Sequence, residues 1–185
     1  MSPKHYTAAA TAAIAGGVAW LVSGPLQLAG VNEHETKVIT FGEHLLISLF
    51  SLSLVLTAFG YLALGRHARN DAGAKVAAAG MGVLSLVALS SNINGADLGF
   101  FPVAATVTNL MWLGGSIHLA VSLYRTGRVA KWVAIALPFV QVFALPLSAA
   151  GGGMIAGAYW IGVGSLMRSR SIEQGGERAT VPAAA

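Results

Sequence analysis

In a chain of 185 residues, 55% are hydrophobic and only 10% are charged, against about 25% charged residues in soluble domains, so the expected solvent is lipid. There is no cysteine, which removes disulfides, thiolate nucleophiles, Cys-ligated zinc and iron–sulfur clusters. The net charge of +4 does not point to nucleic acid, because the basic residues stand in short segments between apolar runs.

A spanning helix takes about 20 apolar residues, and the charges punctuate the chain at close to that interval. No Asp, Glu, Lys or Arg lies between Lys4 and Glu33, between Glu43 and Arg66, between Lys75 and Asp97, or between Asp97 and Arg125. The runs are continuously apolar rather than alternating, which predicts helices and not a barrel. The first helix is expected over about 8–30. Lys4 and the run from Ala8 have the start of a secretory signal peptide, but the run continues through Pro25 to Val31, longer than an h-region. A retained span is therefore expected, bent near Pro25. The second and third helices are expected over about 43–65 and 74–92, and the fourth over about 100–124, with Pro102 in its first turn. The gap from Lys131 to Arg168 is too long for one span. Ala149-Ala150-Gly151-Gly152-Gly153 divides it into helices over about 129–148, kinked at Pro138 and Pro146, and 152–168. The tail, 169–185, is expected to be a mobile cytoplasmic end.

The positive-inside rule sets the orientation. Lys4, Arg66, Arg69, Lys75, Arg125, Arg128, Lys131, Arg168, Arg170 and Arg178 all fall on one side if there are six spans, and only Lys37 falls on the other. The expectation is an all-α bundle of six transmembrane helices, one domain, with both termini in the cytoplasm and the protein in the cytoplasmic membrane. An Ala- and Gly-rich composition with more Arg than Lys fits a bacterial source.

Lipid tails give helices no hydrophobic reason to associate, so close packing of small residues must do it. Ala8, Ala12, Ala15 and Gly16, then Ala78 and Gly82, then Gly153, Gly157, Ala158 and Gly162 are spaced for such faces, either within the bundle or in a homo-oligomer.

Three constellations are candidates for function. His118 is the one ionisable side chain deep in a span, the usual mark of function in a membrane; with Asn109, Ser116, Gln141 and Gln27 it suggests a polar track, or else a neutral imidazole bonded to a neighbouring helix. On the outer side Glu33, His34, Glu35, Glu43 and His44 face Asn92, Asn94 and Asp97. These residue types ligate zinc or manganese, but no motif is present, and neither a metal nor a cofactor is expected. Glu43 and His44, at the mouth of the second helix, are the most suggestive pair. Trp20, Trp112 and Trp160 fall near mid-membrane instead of at the interfaces where Trp collects, and are candidates to line a cavity for an apolar ligand. Two histidines at matching depth for haem, an intramembrane Lys, a phosphate loop and a nucleophile elbow are all missing. The leading expectation is a non-enzymatic membrane protein that binds or moves a small or lipid-like molecule. A membrane-embedded enzyme using the outer Glu, His and Asp residues is one rival, and a structural or partner-binding subunit is the other.

Overall fold

The computed structural model of the protein describes the backbone of residues 3–31 and 37–179 and the side chains of 6–31 and 37–169. The described residues form six α-helices: α1 Pro3–Leu28, α2 Phe41–Gly65, α3 Ala72–Asn94, α4 Phe101–Thr126, α5 Lys131–Ala144 and α6 Gly152–Ala179, with one 3-10 turn at Ser148–Ala150 before α6. The segments Tyr6–Leu28, Phe41–Gly65 and Ala72–Asn94 are long and apolar enough to cross a membrane. At 1.5 Å per residue each reaches about 35 Å, more than the hydrocarbon thickness of about 30 Å.

Two boundaries differ from expectation, each for a local reason. α5 ends at Ala144, not near 148, because Pro146 has no N–H to continue the helical ladder to the Val142 carbonyl; Leu145 is the cap. α6 continues beyond 168 to Ala179; the segment after Arg168 contains no proline before Ala179, and the helix runs through Gly175 and Gly176. The turn between α5 and α6 depends on glycine. Gly151 has a φ of 78°, the left-handed region that a Cβ disfavours.

Each helix packs on its neighbours in sequence, and α6 closes against α1, so the six make a ring with only sparse contact across it. Two of the seams are made by glycine. A Cβ on Gly157 would lie 2.6 Å from the carbonyl oxygen of Gly17, and one on Gly17 would lie 2.8 Å from the oxygen of Gly157. Gly73 and Gly115 stand in the same relation across α3 and α4, at 2.7 and 2.6 Å. Such approach brings backbones into dispersion contact, the available glue where no water is expelled. The ring's interior is filled by Trp20, Trp112, Trp160 and Tyr61, all completely buried.

Large apolar side chains are exposed on every helix, among them Leu21, Phe59, Leu86, Val103, Ile135 and Ile155. Helices apolar both inward and outward suit lipid and not water. The two ends of the ring are polar and distinct. At one, the backbone amide of Val38 donates to the carbonyl of Gly95 (2.9 Å), joining the α1–α2 and α2-facing α3–α4 connections, and Gly151 sits against Leu28. At the other, the amide of Arg69 donates to Ser122 Oγ (3.0 Å) and Tyr6 bonds His67 (2.8 Å). Among the described side chains, every Lys and Arg but Lys37 belongs to this second, basic end.

Candidate functional site

Of the acidic and imidazole residues expected on the outer side, Glu43 is engaged in a helix cap and His44 in a link between helices. Thr40 and Glu43 form a capping box at the start of α2. Glu43 Oε2 accepts from the amides of Ile39 and Thr40, both at 2.8 Å, and from Thr40 Oγ1, while the Glu43 amide donates to Thr40 Oγ1. This satisfies donors that a helix start leaves orphaned and explains how a carboxylate is only 2% exposed. His44 Nδ1 lies 2.6 Å from Asn92 Oδ1, and Asn92 Nδ2 donates to Ser48 Oγ at 3.0 Å, so this pair staples α2 to α3. Asn94 bonds its own helix at Ser90, and Asp97 lies half-buried in the connection to α4. Among the described residues no three His, Asp or Glu come together in a way that would hold a metal ion. Glu33, His34 and Glu35 lie outside the described residues.

The three mid-membrane tryptophans fill the core. Trp112 Nε1 donates to the Tyr61 hydroxyl (2.9 Å), the hydroxyl lies 2.8 Å from Ser116 Oγ, and Ser116 donates to the Trp112 carbonyl (2.7 Å). With the serine proton committed to the carbonyl, the tyrosine donates to the serine, and the loop of bonds is satisfied throughout. Trp20 packs edge-on against Phe50 and Trp160 edge-on against Tyr159, while Trp160 and Tyr61 meet at a tilt of 51°. The indole N–H groups of Trp20 and Trp160 have no partner among the described residues.

The anticipated polar track separates into four places, Gln27 standing apart on α1 with its Oε1 buried and without a partner among the described residues. Ser116 belongs to the core loop just described. His118 is exposed, on the side of α4 that faces Gly73 and the α2–α3 connection. Asn109 and Gln141 meet between α4 and α5: Gln141 Nε2 donates to the Asn109 carbonyl (2.9 Å) and to Asn109 Oδ1 (3.1 Å). Because both neighbours are acceptors, the amide orientation of Gln141 is fixed by its partners. Its Oε1 is buried without a partner, an acceptor left open.

That pair sits in a crevice along the α4–α5 seam. Toward the outer end a hollow of about 300 Å³ is lined by Asn109, Leu113, Gln141, Val142, Leu145 and Pro146. Toward the basic end a second hollow, of about 230 Å³, is lined by Ala120, Val121, Tyr124, Arg125, Ala134, Ile135 and Pro138. The prolines produce both. Pro138 lies inside α5, where its ring and missing N–H prise the helix from its preceding turn and free the Ala134 carbonyl; Pro146 ends the helix and leaves the outer part of α4 uncovered. Val121 and Arg125 also border a polar cleft at the basic end, the one that His118 lines. The sequence signalled the kinks and the two amides, but nothing in it placed Leu113, Tyr124 or Ile135 along the same seam. Comparison with known proteins finds no matching family model, no matching curated protein and no matching solved structure.

Proposed function

We propose that all six helices span the cytoplasmic membrane of a bacterium, with both termini inside, and that the protein binds an apolar or lipid-like molecule in the α4–α5 crevice. The observation that carries the binding role is the crevice itself: two apolar hollows on one seam of the ring, around a proline kink, containing a buried amide oxygen with no partner. An unpaired buried acceptor costs about 1–3 kcal/mol. A ligand hydroxyl or amide N–H beside an alkyl chain is the complement that removes this cost. Movement of a solute through the middle of the ring has no comparable support, since the middle is filled by fully buried aromatic side chains. Catalysis at the outer end has little, since Glu43 and His44 are held by a cap and a staple.

The test is photolabelling of the protein in nanodiscs with a long-chain fatty alcohol carrying a diazirine and a terminal alkyne, followed by peptide mapping. Label should concentrate on residues 109–125 and 134–146, and Ile135→Trp together with Leu113→Trp, both at positions that line the hollows, should lower it several-fold. Labelling spread evenly over exposed apolar residues of the other helices, such as Phe59 and Leu86, would remove the reading.

A further inference from the structure

The polar cleft at the basic end has a volume of about 960 Å³ and opens between the α2–α3 connection and the last turns of α4. Arg66, Arg69 and Arg125 line it with His118, Asn70 and Asp71. An excess of arginine at one end of a bundle is what orientation alone produces, so the arginines by themselves carry no site. Three further features do. Among the described residues the cleft's only carboxylate, Asp71, is engaged by Lys75 at 3.0 Å. Among the described residues, Arg66, Arg69 and Arg125 have no ion-pair partner, and His118 has no hydrogen-bond partner. The connection that carries two of the arginines is pinned: Ser122 Oγ accepts from the amides of Arg69 (3.0 Å) and Asn70 (3.4 Å), and Thr126 Oγ1 donates to the His67 carbonyl (3.1 Å). A fixed backbone presents the guanidinium stems from set positions, which lowers the entropy lost when they close on a ligand.

We propose that this cleft binds a phosphate group. Guanidinium forks match phosphate oxygens in pairs and hold them through charge-assisted bonds, and three forks against one carboxylate that is paired with Lys75 favour an anion with several oxygens over a single carboxylate. The phosphate is borne either by a soluble phosphate ester or by a lipid headgroup. Arg125 and Val121 border both this cleft and the inner α4–α5 hollow, so a headgroup seated here has an apolar seam beside it for its chain. The site does not rest on the crevice reading: a soluble phosphate would fill it whether or not the crevice holds anything.

The test has two arms on the full-length protein. In nanodiscs of phosphatidylcholine alone, inorganic phosphate and glycerol phosphate are titrated and followed by phosphorus NMR line broadening. In nanodiscs doped with phosphatidic acid, co-retained lipid is counted by native mass spectrometry. Arg69→Gln and Arg125→Gln should each weaken binding about tenfold, the scale of one charge-assisted contact. Lys131→Gln removes the same charge from the same end but outside the cleft, and should change binding less than about twofold, as expected of a screened surface charge. All three side chains are exposed, so the variants keep the fold, which thermal unfolding verifies. A response to the soluble phosphates identifies a soluble ester; retention of phosphatidic acid without that response identifies a headgroup. Binding in neither arm, or equal weakening by Lys131→Gln, overturns the proposal.

Discussion

At the scale of single residues, Glu43 shows how a side chain with the chemistry of a catalytic group can be wholly absorbed by folding. Its carboxylate takes two backbone amides and a hydroxyl at the start of α2. Glu43→Ala orphans those donors and should cost about 1–2 kcal/mol, the range of a lost helix cap. Glu43→Gln retains an acceptor oxygen and should cost less. The measurement is thermal unfolding in detergent, with photolabelling of the α4–α5 crevice as the second readout. A catalytic or ligand role for Glu43 would make Gln as damaging as Ala to function while leaving stability alone; the cap predicts graded loss of stability and unchanged labelling. Thr40 three residues before Glu43 matches a capping-box pattern, a signal passed over because the same Glu beside His44 reads as half of a metal site. What distinguishes the two is Asn92, which takes His44 from 48 residues away. The core loop of Trp112, Tyr61 and Ser116 was beyond reach for the same reason. Tyr61 reads as an interfacial aromatic from its place near the end of an apolar run, and only the crossing of α2 and α4 brings it under Trp112.

At the scale of helices, the small residues sort into those used within the ring and those left facing out. Gly157 lies against the α1 backbone, whereas a Cβ on Gly82 or Gly114 would meet nothing within 4 Å. Gly157→Leu must push α6 off α1, and overpacking of this kind costs about 1–3 kcal/mol or more. Gly114→Leu should be neutral or slightly stabilising, since it exchanges a poor helix former for a good one. Unfolding midpoints of the two variants, measured side by side, check this; a Gly157→Leu protein with native stability but altered self-association would mean that the α1–α6 seam is not the one that Gly157 serves. The presence and number of helices was legible because charge spacing and apolar run length set them directly. Which small-residue face meets which was not. Spacing at i, i+4 names a face but not its partner, and Gly17, the partner of Gly157, was not among the residues that the spacing singled out.

At the scale of the whole molecule, the open question is how many of the helices cross. Length and apolarity qualify the segments in α1, α2 and α3, whereas α5, with 14 residues, spans only about 21 Å of a hydrocarbon layer about 30 Å thick. Three crossings alone would leave the arginines of α4 and α6 on the far side from Arg66 and Arg69. The proposed six crossings keep them together, in keeping with the bonds from Ser122 and Thr126 of α4 to the α2–α3 connection that carries Arg66 and Arg69. A short α5 remains compatible with six crossings if the segment 145–151 completes its path, its backbone protected by the 3-10 turn and by contact with α1; irregular backbone is tolerated in a membrane when protein covers it. The chain has no cysteine, so single cysteines can be read without background. Gly99→Cys and Ala149→Cys, both in exposed connections at the end opposite the arginines, should react with a membrane-impermeant maleimide from outside intact cells. Lys131→Cys should react only in inverted vesicles. Ala149→Cys reacting from the same side as Lys131→Cys would make α5 and α6 a hairpin that enters and leaves by the cytoplasmic face. The α4–α5 crevice would then be half a lipid-facing seam and half a surface fold, and the phosphate cleft would lose its membrane-depth neighbour while keeping its arginines. The labelling pattern therefore decides the topology, and with it whether the headgroup or the soluble ester is the stronger reading of the basic cleft.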